Sequence, residues 1–146
     1  MQKSEVVTSI VLSAHALARI AAHDTGNEAP SAQWRTLSAL ERESGMRLGA
    51  LARITRTTQP GMTRMIGALE EARLVRRSPD PADSRATLVS ATEDGLAALQ
   101  QWRGEIRDAL APRFAHLTAA DWQAMQRAAE ILAEQAQDTT RTGAEV

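Results

Sequence analysis

One stretch restricts this chain more than any other: the helix that opens at Thr58 and runs to about Leu69. Thr58 reads as its N-cap, because a threonine hydroxyl accepts from a backbone N–H left without a partner in the first turn. Pro60 follows inside that turn, where a missing N–H costs nothing. Met62, Met65, Ile66 and Leu69 then recur at the spacing of one helical face. Pro60, Gly61, Arg64 and Gly67 occupy the opposite face, with Gln59 and Thr63 on its flank. Each of those two glycines costs about 1 kcal/mol relative to alanine in a helix. Accepting that cost on an outward face points to something that approaches the backbone closely. Small residues, polar side chains that donate and accept, and one arginine suit a surface that reads the major groove. The alternative is an ordinary surface helix that tolerates its glycines.

The flanking residues decide between these readings. Upstream, Leu48, Leu51 and Ala52 form a short amphipathic helix, and Ile54-Thr55-Arg56-Thr57 connects it to the Thr58 helix. Two short helices joined by so few residues make a helix-turn-helix. Downstream, Leu74-Val75-Arg76-Arg77 reads as one strand and Arg85 to Ser90 as a second. The turn-rich segment Ser78 to Ser84 lies between them, and its prolines are expected to stay out of the ladder. A helix-turn-helix followed by a basic hairpin is a winged helix.

On these residues the chain resembles the multiple-antibiotic-resistance regulator (MarR) family of bacterial transcription factors. The resemblance is carried by Leu51-Ala52, by Thr58 with Met62-Thr63-Arg64, and by Leu69-Glu70 and Leu74-Val75-Arg76-Arg77. It continues through Asp80-Pro81-Ala82-Asp83-Ser84-Arg85 to Thr92-Glu93-Asp94-Gly95, about fifty residues in the family's order. Asp83-Ser84-Arg85 matches the family's wing signature of Asp, any residue, Arg. Two positions depart from it. Arg73 stands where the family usually has glycine, which implies a different helix ending or an arginine in the left-handed region. Ala91 stands where leucine usually precedes the threonine.

Charge supports the reading once it is divided by position. The whole chain carries −1, which alone would argue against nucleic acid. From Arg47 to Ser90, however, eight arginines face four acids, a net of +4, leaving −5 for the rest. A basic module in an acidic body is the distribution expected when one face meets phosphate. There is no cysteine, so thiol sensing, disulfides and thiolate metal sites are excluded. His15 and His23 are eight apart rather than the four that a helical zinc motif needs, and His116 stands alone. No nucleophile elbow or phosphate-holding glycine loop is present. Neither an enzyme nor a metal or other cofactor is therefore expected. No apolar run approaching the roughly 20 residues of a membrane span is read. The N-terminus lacks a signal-peptide pattern, so the expected location is cytoplasmic, away from any membrane.

The remaining segments read as helices. Ser4 to about His23 is apolar on more than one side, through Val6, Val7, Ile10, Val11, Leu12, Ala14, Ala16, Leu17 and Ile20. Such a helix wants two partners, its own domain and a second subunit. A loop from Asp24 to Pro30 follows, and then a helix capped by Ser31 runs to about Glu43, with Trp34, Leu37 and Leu40 inward. After the wing, Thr92 caps a helix that Pro112 ends or kinks. Thr118 and Asp121 resemble a capping box ahead of a last helix from Ala119 to about Gln137.

The expected fold is mainly α: about six helices and a two-stranded β-hairpin wing. Residues 1–30 and 93–137 form a dimerisation body, 31–92 the DNA-binding region and 138–146 a tail. The expected function is that of a homodimeric regulator, most simply a repressor, on a pseudo-palindromic site in double-stranded DNA. Thr57, Thr58, Gln59, Thr63 and Arg64 are expected near bases or phosphates. Arg85 is expected at the minor groove and Ser84 beside it at the DNA, with Asp83 orienting Arg85 or pairing with another arginine. Arg47, Arg56, Arg76 and Arg77 are phosphate candidates. The resemblance further implies a small aromatic or phenolic effector where the winged helix meets the body, with Arg19, Trp34 and Arg35 as candidate liners. The rival reading is a winged-helix module for protein contact, without specific DNA binding.

Overall fold

The computed structural model of the chain describes residues 1–27 and 31–137. The proposed tail at 138–146 and the end of the loop before Ser31 lie outside the described residues. Among the described residues six helices and three strands follow in the order α1 (Lys3–Asp24), α2 (Ser31–Arg42), β1 (Met46–Arg47), α3 (Leu48–Thr55), α4 (Gln59–Glu71), β2 (Val75–Asp80), β3 (Asp83–Ala91), α5 (Glu93–Phe114) and α6 (Ala119–Gln137). The chain divides into two compact units, Met1–Leu110 and Ala111–Val146.

In the first unit one apolar core joins α2, α3, α4, the sheet and the start of α5. Leu37, Leu51, Met62, Ile66, Val89 and Leu99 are fully enclosed. Three of the four apolar positions expected on the inner face of α4 are buried, and Met65 is half-buried against the core. Trp34 is buried and stacks on Trp102 of α5, with ring centroids 5.1 Å apart and planes 13° from parallel. This pairs two large apolar surfaces in the offset geometry aromatic rings favour.

The sheet differs from the expected two-stranded wing. Met46 and Arg47 add a third strand, and the order is β1-β3-β2, all antiparallel. Met46 lies opposite Val89 and both side chains are buried, so the extra strand closes the core beneath α3. Two residues are too few to show a period of two in the sequence. The hairpin is also tighter than expected. Ser78, Pro79 and Asp80 belong to β2, leaving Pro81-Ala82 as the turn. Pro79 sits opposite Thr87 in the ladder because β2 is an edge strand, where a missing donor can face away from its only neighbour.

The connection between α3 and α4 is shorter too. Ile54 and Thr55 are the last residues of α3, and only Arg56-Thr57-Thr58 separate the helices. Ser31 is the first helical residue of α2 rather than a residue ahead of it, and its hydroxyl accepts from the Arg35 guanidinium at 3.2 Å. The join from wing to α5 depends on close approach. Thr92 Oγ1 accepts the Gly95 N–H at 3.0 Å, as an N-cap does, while donating to the Arg73 carbonyl at 2.7 Å. A Cβ on Gly95 would lie 2.0 Å from the Leu74 carbonyl oxygen. Only glycine fits there without displacing the backbone.

Pro112 does not end α5, which continues to Phe114, although the division between the two units falls at Leu110 and Ala111. In the second unit the capping box forms as expected. Thr118 N–H donates to Asp121 Oδ2 at 2.9 Å and Asp121 N–H donates to Thr118 Oγ1 at 3.2 Å. Phe114 packs at a tilt on Trp122, 6.4 Å between centroids. No described residue of α6 is buried, and Trp122, Met125, Ile131 and Leu132 are exposed.

Helix α1 corrects a further expectation. Over Lys3–Asp24 it is long and apolar enough, by length and composition, to cross a membrane. Thr8, Ser9, Ser13, His15 and Arg19 hide this in the sequence, because they break the apolar residues into short runs. Only Ala21 is buried, while Val6, Val7, Val11 and Leu12 are exposed.

Candidate nucleic-acid interface

The candidate interface is built from the two ends of α4 and from the wing. Helix α3 closes on Arg56, which adopts the left-handed region at φ 56°. The Thr57 N–H returns to the Ala52 carbonyl at 2.9 Å and the Arg56 N–H to Arg53 at 3.2 Å, the Schellman pattern. Buried Thr55 donates to the Leu51 carbonyl at 2.7 Å and also meets Thr57 Oγ1 at 3.2 Å, which fixes the turn from inside. Thr58 caps α4 as expected, its Oγ1 accepting the Gly61 N–H at 3.2 Å. Thr58, Gln59, Thr63 and Arg64 are exposed, and Thr57 is half-buried. The Thr63 hydroxyl donates to the Gln59 carbonyl at 2.9 Å, which leaves its oxygen free to accept.

The two glycines of α4 have different causes. A Cβ on Gly61 would come within 2.9 Å of Thr58 Oγ1 and 3.2 Å of Thr57 Cγ2, so the cap itself crowds that position. A Cβ on Gly67 would meet nothing within 4 Å. The cap therefore supplies a reason for Gly61 within the chain, and no such internal reason exists at Gly67.

At its far end α4 closes on Arg73 at φ 61°, the left-handed arginine. Its N–H reaches the Glu70 carbonyl and the Leu74 N–H reaches Leu69, both at 2.9 Å. In the wing, β2 and β3 pair regularly from Val75 opposite Ala91 to Pro79 opposite Thr87. The next pair is Asp80 opposite Asp83, so Ser84, Arg85 and Ala86 have no residue facing them. Arg85 is carried on this bulge with its side chain 92% exposed. Asp83 Oδ1 accepts the Arg85 backbone N–H at 3.0 Å and lies 3.6 Å from its Nε.

The basic residues fall into two groups. Arg53, Arg56, Arg64, Arg73 and Arg76 are exposed and make no ion pair among the described residues. Three others are engaged within the chain, Arg85 with Asp83 as above. Arg77 Nε lies 3.5 Å from Glu70 Oε1 of α4, and Arg47 pairs with Asp80. Asp80 is not among the site residues that the sequence singles out. Its carboxylate is held below its ordinary 3.8 by the Ala82 backbone N–H first and the Arg47 side-chain hydrogen bond second, against the opposing effect of burial. Arg53 also escapes sequence reasoning, since an arginine on the first helix of such a motif carries no local signal. Asp80 has one: an aspartate two residues ahead of a free N–H in a proline turn commonly accepts it.

The candidate effector liners differ in exposure. Trp34 is buried under Trp102, the core reading of that residue, whereas Arg19 and Arg35 are exposed. A shallow groove of about 500 Å³ runs along α1 past Ser4, Thr8 and Leu12, and it includes none of the three.

Comparison with known proteins agrees with this geometry. Residues 30–86 match the model of the MarR family. The HTH-type transcriptional regulator MT0903.1 of Mycobacterium tuberculosis is 35% identical over 100 residues, covering 68% of this chain and 70% of that protein. Among solved structures, RV1404 from Mycobacterium tuberculosis superposes with a TM-score of 0.73 at 25% identity, over 94% of this chain and 96% of its own. A Staphylococcus aureus MepR mutant, solved bound to an oligodeoxyribonucleotide, shares the fold with a TM-score of 0.61 at 17% identity, over 92% and 98% of the two chains. With a capped helix-turn-helix, an arginine-bearing wing and these relatives, the chain belongs to the MarR family of transcriptional regulators and is not an enzyme.

Proposed function

We propose that this protein is a bacterial repressor that works in the cytoplasm and binds a pseudo-palindromic operator as a homodimer. The carrying observation is the outward surface of α4 and its surroundings, where Gln59, Thr63 and Arg64 stand exposed beside arginines without acidic partners. The α4 N-terminus enters the major groove, where such side chains distinguish all four base pairs. Thr57 and Thr58 lie at the adjoining phosphates, with Arg56 and Arg76. Arg85, on its bulge beside Ser84, reaches the minor groove, and Asp83 restricts its motion. The helices at 1–30 and 93–137 supply the dimer contacts, which would cover the exposed apolar residues of α1 and α6. That role accounts for an apolar α1 without a membrane. By family likeness a small aromatic compound releases the DNA, with Arg19 and Arg35 as remaining candidates for its anionic group. The DNA-bound MepR mutant supports this mode of action by its shared fold.

Selection of bound duplexes from a random pool tests the reading. An inverted repeat is expected, its half-sites about one helical turn apart, roughly 34–36 Å. On that duplex Arg85→Ala should weaken binding by about 1–3 kcal/mol per subunit. It should also flatten the salt dependence by about one unit for each phosphate the protein no longer neutralises. A folded Arg85→Ala protein with unchanged affinity and salt slope would remove the wing from the interface. Recovery of no preferred sequence would favour the protein-contact reading.

A further inference from the structure

Charge alone makes Arg47 a candidate for phosphate, and its position in the fold argues for a different task. It lies on β1, at one edge of the sheet, while Asp80 lies on β2 at the other. The Arg47 side chain therefore spans the central strand β3. Its Nε donates to Asp80 Oδ2 at 2.8 Å, and its Nη2 closes on the same oxygen. Asp80 is only 8% exposed, and its other oxygen accepts the Ala82 N–H at 2.9 Å, inside the turn of the hairpin. The place where this strap arrives is informative. The ladder breaks between Pro79 and Asp80, so backbone pairing past that point is down to the single pair Asp80 and Asp83. The strap meets the wing on the first residue beyond the break. Its other end is the residue directly before α3, the first helix of the helix-turn-helix.

We propose that Arg47 is a wing-positioning residue: through Asp80 it ties the wing tip to the start of α3, and it sets where Arg85 stands rather than neutralising a phosphate. The guanidinium is already matched by a carboxylate, so its contribution to counterion release is small. Removing either end of the strap has the same result, a tip that samples many positions and must be ordered when DNA binds. The two ends then act as one unit and their effects do not add.

This inference rests on the DNA-binding reading above, and the test keeps the two apart. The full-length protein and its Arg47→Gln, Asp80→Asn and double variants are titrated with the selected duplex across a range of salt, with Arg76→Gln alongside. Failure of the unaltered protein to bind any duplex refutes the DNA-binding reading. Given binding, the strap predicts that Arg47→Gln and Asp80→Asn each weaken it by about tenfold, and that the double variant is no worse than either. Their salt slopes stay those of the unaltered protein, and amide exchange at Ala82 and Arg85 accelerates in the DNA-free state. The opposite assignment predicts that Asp80→Asn frees Arg47 and leaves binding equal or tighter, while Arg47→Gln flattens the slope by about one unit per subunit. Either of those results overturns the proposal. Should Asp80→Asn not fold, Arg47→Gln decides alone: an unchanged slope with faster exchange at Ala82 upholds the strap, and a flattened slope or unchanged exchange refutes it.

Discussion

Arg56 and Arg73 occupy backbone positions that usually fall to glycine. Each closes a helix in the left-handed region, at a cost of about 1–2 kcal/mol for a residue with a Cβ. Arg73→Gly should therefore raise stability by about 0.5–1 kcal/mol, since glycine recovers that strain and returns part of it as entropy of the unfolded chain. A higher urea midpoint at an unchanged slope would register the gain. Arg56→Gly should give a similar gain in stability together with weaker DNA binding, because it also removes an unpaired cation next to the Thr58 cap. Parallel affinities for the two variants would show that Arg56 does no more than end its helix. The sequence discloses one of these arginines and hides the other. Arg73 is legible because it stands where a known pattern has glycine; Arg56 reads only as part of a turn, because residue type alone signals a left-handed position for glycine and asparagine.

Helix α4 is the most legible element, with a threonine cap, a proline in the first turn and an apolar face that all state the same boundary. The sheet is the least legible, since β1 is two residues long and Pro79 argues against the strand that contains it. What the sequence cannot supply there is the neighbour: an edge position excuses the proline, and Val89 gives Met46 something to pack on. Gly67 offers a test at this scale. With open space around it, Gly67→Ala should stabilise the free protein by up to about 1 kcal/mol, the helix-propensity difference. If the groove wall approaches there, the same change weakens DNA binding; equal affinity would mark a tolerated glycine. Acid provides a second test. The Asp121 carboxyl is lowered from 3.8 by the Thr118 hydroxyl and then the Thr118 backbone N–H, and Asp80 is lowered as well. Both therefore add stability that is fully present above their unfolded values and is lost as pH falls through the lower folded values. Asp80→Asn and Asp121→Asn should be less stable than the parent protein near neutral pH. Urea titrations at successive pH values should show each difference closing only below about 3.8. A difference independent of pH would mean that shape, not charge, matters at these positions.

The whole molecule leaves apolar side chains uncovered on both α1 and α6. A single chain with so many exposed large apolar residues favours association, and the proposed homodimer satisfies it. Light scattering of the DNA-free protein should return twice the 15.8 kDa chain mass. Removing Thr118 to Val146 should leave monomer or aggregate, and a soluble dimer after that truncation would move the interface elsewhere.

The three unpaired residues of β3 bear on how such a protein can change its target. Side chains along a strand alternate between faces, so an insertion in a regular ladder turns every later residue inside out. Here the pairs from Pro79 and Thr87 down to Val75 and Ala91 are set below the bulge. Val89 stays buried whatever the length of the segment above it. Ser84, Arg85 and Ala86 can thus be exchanged, lengthened or shortened while the core keeps its parity. Evolution, or a designer, can revise what this hairpin tip touches without asking the fold to pack again.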